Sequence, residues 1–213
     1  MNVLLLNGSP HRDGCTDTAL REVASALEQE GIITTLLHIG RPVSTCTGCR
    51  LCQNTGRCII SDQVNEVLAL AEQADGFVFG SPVHYAAPAG NFTAFLDRMF
   101  YAGTCFAHKP GAAVVSCRRG GASAAFDRLN KYFTISQMPV VSSQYWNSVH
   151  GSTPEEVRRD LEGMQTMRLL GKNMAYLLRC LEAGREAGIL PPPAEEPLRT
   201  NFIDPIAPAE PLE

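Results

Sequence analysis

Four cysteines, Cys46, Cys49, Cys52 and Cys58, fall within 13 positions in the pattern C-x2-C-x2-C-x5-C. Thiolates are soft ligands that suit iron, zinc or copper(I). Two-residue gaps let successive sulfurs turn toward one centre, and a C-x2-C-x2-C run is a mark of iron–sulfur ligation. Zinc sites more often pair two C-x2-C knuckles across a longer gap. The spacing therefore favours iron–sulfur ligation over zinc; a loop of buried thiols and a redox-labile dithiol are the other readings. The chain carries eight cysteines, and the other four (Cys15, Cys105, Cys117 and Cys180) are scattered. That distribution predicts one clustered site in a reducing compartment rather than a disulfide framework.

Three further segments could hold a ligand. Gly8-Ser9-Pro10-His11-Arg12-Asp13-Gly14-Cys15-Thr16 joins an apolar run to a helical pattern. Its hydroxyls, glycines and free amides suit a phosphate, because a helix start offers unpaired N–H groups and the positive end of a dipole. It has no Gly-Lys-Ser/Thr and no Gly-x-Gly-x-x-Gly, which disfavours a Walker loop and a dinucleotide fingerprint; an ordinary N-capped turn is the plainer alternative. The second segment, Gly80-Ser81-Pro82-Val83-His84-Tyr85-Ala86-Ala87-Pro88-Ala89-Gly90, would present backbone and an aromatic ring to a flat ligand. Alternatively, Tyr85 covers the end of a sheet. The third, Ser116-Cys117-Arg118-Arg119-Gly120-Gly121, could bring a guanidinium and flexible amides to an electron-rich ring, or simply carry solvated charges.

The elements that must position these segments alternate between strand and helix. Short apolar runs at Val3–Asn7, Ile32–Ile39, Gly76–Gly80, Gly111–Cys117 and Met138–Ser142 predict five strands, the third ended by Ser81-Pro82. Helical patterns run from Asp17 to the stop at Gly31, through Val64–Ala71, Phe92–Met99 and Ala122–Phe133, and from Thr153 to about Ala183. Thr153-Pro154-Glu155-Glu156 reads as a capped start with a first-turn proline and acids. Continuous apolar strands alternating with helices predict an α/β doubly wound parallel sheet of five strands with helices on both faces. Ligands of such sheets bind beyond the carboxyl ends of the strands, where the three loops fall. We expect one domain over 1–190, with a cysteine-rich insertion at 43–62. A proline-rich arm or tail follows over 191–213, whose Phe202 and Ile203 would suit an arm reaching over a neighbouring subunit.

Composition narrows the function. Of 213 residues, 45% are hydrophobic and 19% charged, as in a packed globule. Acidic residues outnumber basic ones, 22 to 18, so a chain-wide field for nucleic acid is not expected. No apolar run is long enough to span a membrane, and the first residues read as a strand rather than a leader, so a cytoplasmic location is expected.

Taken together, Gly8-Ser9-Pro10-x-x-x-Gly14-x-Thr16, Gly80-Ser81-Pro82-Val83-x-Tyr85 and Ala94-Phe95-Leu96-Asp97-Arg98 resemble the NADPH-dependent FMN reductase family, over residues 1 to about 135. His11, Cys15, His84 and Ala86 stand where that family commonly has Arg, Asn, Tyr and Gly. The resemblance implies a flavodoxin-like fold and an FMN site. Ser9, His11 and Thr16 would hold the phosphate, with Cys15 offering its amide. Pro82, Val83, His84 and Tyr85 would line the ring system, and Ser116, Cys117, Arg118, Gly120 and Gly121 would close its other side. Tyr145-Trp146-Asn147-Ser148-Val149-His150-Gly151 also resembles a motif of close relatives and would approach the flavin edge, though Trp146 would equally serve as a core or interface anchor.

The cysteine run is similar to that of iron–sulfur flavoproteins, which carry a four-iron four-sulfur cluster beside FMN. The resemblance implies an oxidoreductase passing electrons from NAD(P)H through FMN to a quinone, flavin, metal ion or the cluster. Arg118 or Arg119 would stabilise the reduced ring, and no side chain would serve as general acid or base. An electron carrier exchanging with a partner protein, and a cysteine redox sensor, are the alternatives. A homodimer or homotetramer is the family's usual assembly.

Overall fold

The computed structural model describes residues 1–40, 42–196 and 198. In chain order, β1 (Asn2–Asn7) is followed by α1 (Cys15–Gln29), β2 (Ile33–His38), the short α2 (Cys52–Thr55) and α3 (Gln63–Gln73). Next come β3 (Gly76–His84), β4 (Ala87–Pro88), α4 (Gly90–Ala102), β5 (Gly111–Cys117) and α5 (Ala122–Ile135). The chain then runs through β6 (Ser148–His150), α6 (Pro154–Arg159) and α7 (Leu161–Glu186). The sheet has the order β2-β1-β3-β5-β6 with every pairing parallel. This is the flavodoxin-like doubly wound order, whose ligand crevice lies where winding reverses between β1 and β3.

Strand alternation divides the core into two layers. Leu4, Leu6, Phe77, Phe79, Ala113 and Val115 point to the face covered by α3, α4 and α5. Val3, Leu5, Val78, Ala112 and Val114 point to the face covered by α1 and α7. Each fully buried leucine contributes about 1.5–3 kcal/mol relative to exposure, so the sheet's register is firmly specified. Phe79 packs against Phe92 of α4 and Phe133 of α5, which fixes both helices over β3.

Three expectations are corrected. Among the described residues there are six strands rather than five, because β3 does not stop at Ser81-Pro82 but runs to His84 and turns back as β4. Pro82 is tolerated because β1 pairs only as far as Gly80, so no β1 carbonyl waits for the missing N–H. The fifth strand of the main sheet is not Met138–Ser142. That segment makes one bridge, Gly111 to Val140, and then leaves the sheet. It returns at Asn147, whose carbonyl accepts from the Val115 amide (3.0 Å), and β6 pairs with the end of β5. Inside the excursion the Ser143 hydroxyl lies 2.7 Å from Asn147 Oδ1 and accepts from the Tyr145 amide, so side chains replace the ladder.

The expected single helix from Thr153 is two. Thr153 does cap α6, but Asp160 interrupts it, accepting from the Gly163 amide to start α7 and from the His150 amide to hold β6. Residues 191–196 carry no helix or strand; the rest of the expected arm, including Phe202 and Ile203, lies outside the described residues. Among the described residues no helix is long and apolar enough to cross a membrane.

Candidate functional site

The loop after β1 is shaped by Asn7. This side chain, 1% exposed at the strand's end, accepts from the Ser9 amide (3.0 Å) and donates to the Arg12 carbonyl (3.0 Å). The Ser9 hydroxyl accepts from the His11 amide (3.1 Å), and the His38 ring bonds the Ser9 carbonyl (2.8 Å). Gly8 is required by close approach: a Cβ there would lie 2.1 Å from the Phe92 ring. The loop delivers the chain to α1 through Gly14, which supplies no side-chain cap, and the first helical bond is Thr18 N–H to Gly14 O. The amides of Cys15, Thr16 and Asp17 therefore precede the first helical bond and face the strand end. Helices α4 and α5, which leave β3–β4 and β5, likewise start without a side-chain cap, at Ala89 and Gly121. By contrast α3, α6 and α7 are capped by Asp62, Thr153 and Asp160. The three helix starts at this end of the sheet thus lack a side-chain cap, and that of α1 suits an anion.

The loop after β3 is a hairpin. Val83 and His84 pair with Pro88 and Ala87 across the two-residue turn Tyr85-Ala86. Both turn residues are left-handed, at φ 49 and 59°, the geometry that two-residue hairpins favour and non-glycine residues resist. The turn holds Tyr85 fully in the open. The buried Ser81 hydroxyl accepts from the Ala89 amide (2.9 Å) and so closes the hairpin's base. The loop after β5 packs against this turn: Gly121, at φ 84°, would place a Cβ 2.9 Å from Ala86 Cα and 3.1 Å from Val83 Cγ1. Arg118, Arg119 and Gly120 are exposed.

The first and third loops are joined by the Thr16 and Ser116 hydroxyls, 2.8 Å apart and buried. Thr16 thus turns its hydroxyl to Ser116, leaving its backbone N–H for a ligand. Cys15 contacts the Gly151 carbonyl, and the Gly151 amide bonds the Cys117 carbonyl (3.1 Å), which draws the end of β6 to the same edge. Burial pushes the Cys15 and Cys117 thiols up from their ordinary range. Gly8, Pro10, His84, Gly90 and Asn91 line an open recess of about 280 Å³ at this end. A larger cavity of about 510 Å³, near Asp75, Lys109 and Cys180, opens at the opposite ends of β3 and β5, away from these loops.

The cysteine segment lies along the far half of α4. Cys46, Cys49, Cys52 and Cys58 line one small cavity, with Arg98 and Tyr101 from α4. All eight cysteines are free thiols. Among the described residues, no three His, Cys, Asp or Glu side chains are gathered into a ready-made metal-ion site. Burial raises the Cys52 thiol, and charge on Cys49, Cys58 and Cys46 raises it further. The segment is anchored at its start by the Val43 amide on Asn91 (2.7 Å). At its end Asn65 bonds both the Cys58 amide (2.9 Å) and its carbonyl (2.8 Å).

Sequence reasoning placed the three loops and the cysteines but missed the residues that hold them: Asn7, His38, Asn65, Asn91 and Asp62. A polar amide closing the apolar run Val3–Leu6 was the legible sign for Asn7; the others are brought in by the fold. Trp146 is exposed and packs against Tyr145 at a tilt of 55° (centroids 5.1 Å) rather than lying in the core.

A doubly wound sheet whose reversal point is framed by uncapped helix starts, a strained hairpin and a glycine loop defines a flavodoxin-like flavin-binding domain. The chain belongs to the NADPH-dependent FMN reductase family, whose sequence profile matches residues 1–153. It is accordingly an FMN-dependent oxidoreductase. An iron–sulfur flavoprotein of Methanocaldococcus jannaschii is 30% identical over 192 residues, covering 85% of this chain and all of that one. An iron–sulfur flavoprotein of Methanosarcina thermophila is 24% identical over 196 residues, covering 87% of this chain and 100% of its own. Among solved structures, an NAD(P)H:quinone oxidoreductase from Methanothermobacter marburgensis superposes with a TM-score of 0.63 at 15% identity, covering 82% of this chain and 96% of that one. An archaeal flavodoxin does so at 0.59 and 14% identity, covering 84% and 99%. At these identities the structural likeness is one of fold.

Proposed function

We propose that this chain is an iron–sulfur flavoprotein, in which Cys46, Cys49, Cys52 and Cys58 ligate a four-iron four-sulfur cluster beside the FMN site. The observation that carries the reading is that all four cysteines line one small cavity against α4, the helix that begins at the flavin loops. Soft thiolates and a neighbouring cation, Arg98, fit a cluster's donor set and its negative charge. The curated relatives that align over nearly their whole length bear the same name.

FMN and the cluster, when bound, supply hydride and one-electron chemistry respectively. The chain's own residues bind and orient. Ser9, His11 and the amides of Cys15 and Thr16 receive the phosphate at the start of α1. Pro82, Val83, His84 and Tyr85 lie along one side of the ring system, and Ser116, Cys117, Arg118, Gly120 and Gly121 along the other. Arg118 or Arg119 supplies a cation toward the ring edge where negative charge accumulates on reduction. NAD(P)H is the electron donor, and a quinone, a flavin or a redox protein the acceptor. The exposed Tyr145–Trp146 pair favours assembly with further copies as a homodimer or homotetramer, and a cysteine pattern that suits a soft-metal centre rather than a disulfide framework favours a cytoplasmic setting.

Anaerobic addition of NADH or NADPH to the FMN-loaded chain tests this. Bleaching of the flavin band by either nucleotide is expected. A flavin that stays oxidised with both, yet is reduced by a reduced ferredoxin, would replace the reductase reading with that of an electron carrier.

A further inference from the structure

Arg98 is 1% exposed, and all five of its N–H groups are engaged. Two form a bidentate pair with Asp62 (2.7 and 2.9 Å). Two more meet backbone carbonyls that flank the cysteines, Ser44 (3.3 Å) and Ile60 (3.2 Å). The fifth, on Nε, points at the Cys58 sulfur, 3.2 Å away. Asp62 is itself fixed, because it caps α3 by accepting from the Val64 amide.

We propose that Arg98 is the positioning residue of the cysteine centre and biases it toward its reduced form, by clamping both ends of the cysteine segment and donating its Nε–H to the Cys58 sulfur. This rests on the cluster reading above. A buried arginine paired with an aspartate needs no functional account on its own. What calls for one is the direction of the remaining donors. The fork is locked by Asp62, so Nε–H cannot turn elsewhere, and Asn65 holds the backbone of Cys58 on both sides. Cys46 and Cys49 are exposed, whereas Cys52 and Cys58 are half-buried, Cys52 with its thiol on the Tyr101 carbonyl (3.5 Å) and Cys58 with its sulfur facing Arg98. Reduction adds negative charge to a cluster and its thiolates. A cation and an N–H···S bond stabilise the reduced form more than the oxidised one, and hydrogen bonds to sulfur are among the factors that set cluster potentials. A lysine in the same place keeps a charge but loses the rigid fork and its Nε donor.

The test compares wild type, Arg98→Lys and Asp62→Glu, each reconstituted with iron and sulfide without oxygen. Iron and FMN are counted, and the cluster's midpoint potential is read by an EPR-monitored redox titration. Arg98→Lys is expected to lower the potential by about 59 mV, a tenfold change in a one-electron equilibrium. Asp62→Glu, which keeps the carboxylate's charge but displaces the fork of Arg98, is expected to shift it in the same direction by less. Unchanged potentials in variants that keep their iron would overturn this inference alone. Loss of iron from both variants with FMN retained would overturn the effect on potential and reduce Arg98 to a scaffold. A wild-type chain that takes up no iron would overturn the cluster reading and this inference with it.

Discussion

The hydroxyls of Thr16 and Ser116 meet at 2.8 Å across 100 residues of sequence, and they tie the start of α1 to the end of β5 inside the candidate flavin site. Both residues are almost fully buried, so neither hydroxyl can exchange its partner for bulk water. Ser116→Ala therefore strands the Thr16 hydroxyl and is expected to cost about 1–3 kcal/mol of stability. Urea unfolding of the FMN-free protein measures it, and FMN affinity should fall as the two loops part. An unchanged urea midpoint would show that the pair does not couple them.

The hairpin turn carries a strain that one substitution can remove. Ala86 sits at φ 59°, a conformation that costs an L-residue roughly 1–2 kcal/mol and a glycine almost nothing. Ala86→Gly should raise stability, by up to about 1 kcal/mol once the added freedom of the unfolded glycine is subtracted. Gly121→Ala works the other way, since its φ is 84° and its new Cβ would press on Ala86. It should lower both stability and FMN affinity, by tenfold or more for the latter. Paired thermal melts and flavin fluorescence titrations decide both; a stabilising Gly121→Ala would contradict the described contact between the second and third loops.

The fold was legible where burial dictates pattern. Val3–Leu6 and Ala112–Val115 are apolar on both faces because helices cover both, and that continuity marks parallel strands. The edge of the sheet was not legible. β6 has three residues and the segment before it holds its shape through Ser143 and Asn147, so no periodicity announces it. Asp160 is one polar residue within the helical pattern from Thr153 to about Ala183, and only its two backbone partners reveal it as a cap. The site divides in the same way. Cysteine spacing and glycine loops are local and readable. The partnership of Arg98 with Ser44, Cys58, Ile60 and Asp62 joins positions 36 to 54 residues apart, which only the packing of α4 brings together.

Several buried groups hold their protons more tightly in the folded chain. Burial is the leading cause for the thiols of Cys105 and Cys117 and for the Tyr132 hydroxyl, which also bonds Asp97. A raised folded pKa gives stability that is complete below the unfolded value and declines as pH rises through the folded one. Stability of the FMN-free chain should therefore begin to fall above roughly pH 8.5, where unfolded thiols ionise, and fall further near pH 10 with tyrosine. Urea midpoints at a series of pH values from 7 to about 10.5 test the sign. A midpoint that rises over this window would contradict it.

The cysteines should separate by role. Cys49→Ser removes one of the four thiols on the α4 cavity and should abolish stable iron uptake while leaving FMN binding within about twofold. Cys105→Ser, a residue outside that cavity, should keep full iron content. Iron and flavin counts on the purified variants distinguish the two, and equal iron in both would detach the metal from this segment.

The most direct test of the account is the visible spectrum of the chain purified without oxygen, with iron and FMN counted on the same sample. The account predicts flavin bands riding on a broad brown shoulder that bleaches with dithionite, at about four irons per FMN. Flavin bands on a flat baseline, with no iron after anaerobic reconstitution, would contradict the iron–sulfur reading and leave an FMN reductase without a cluster.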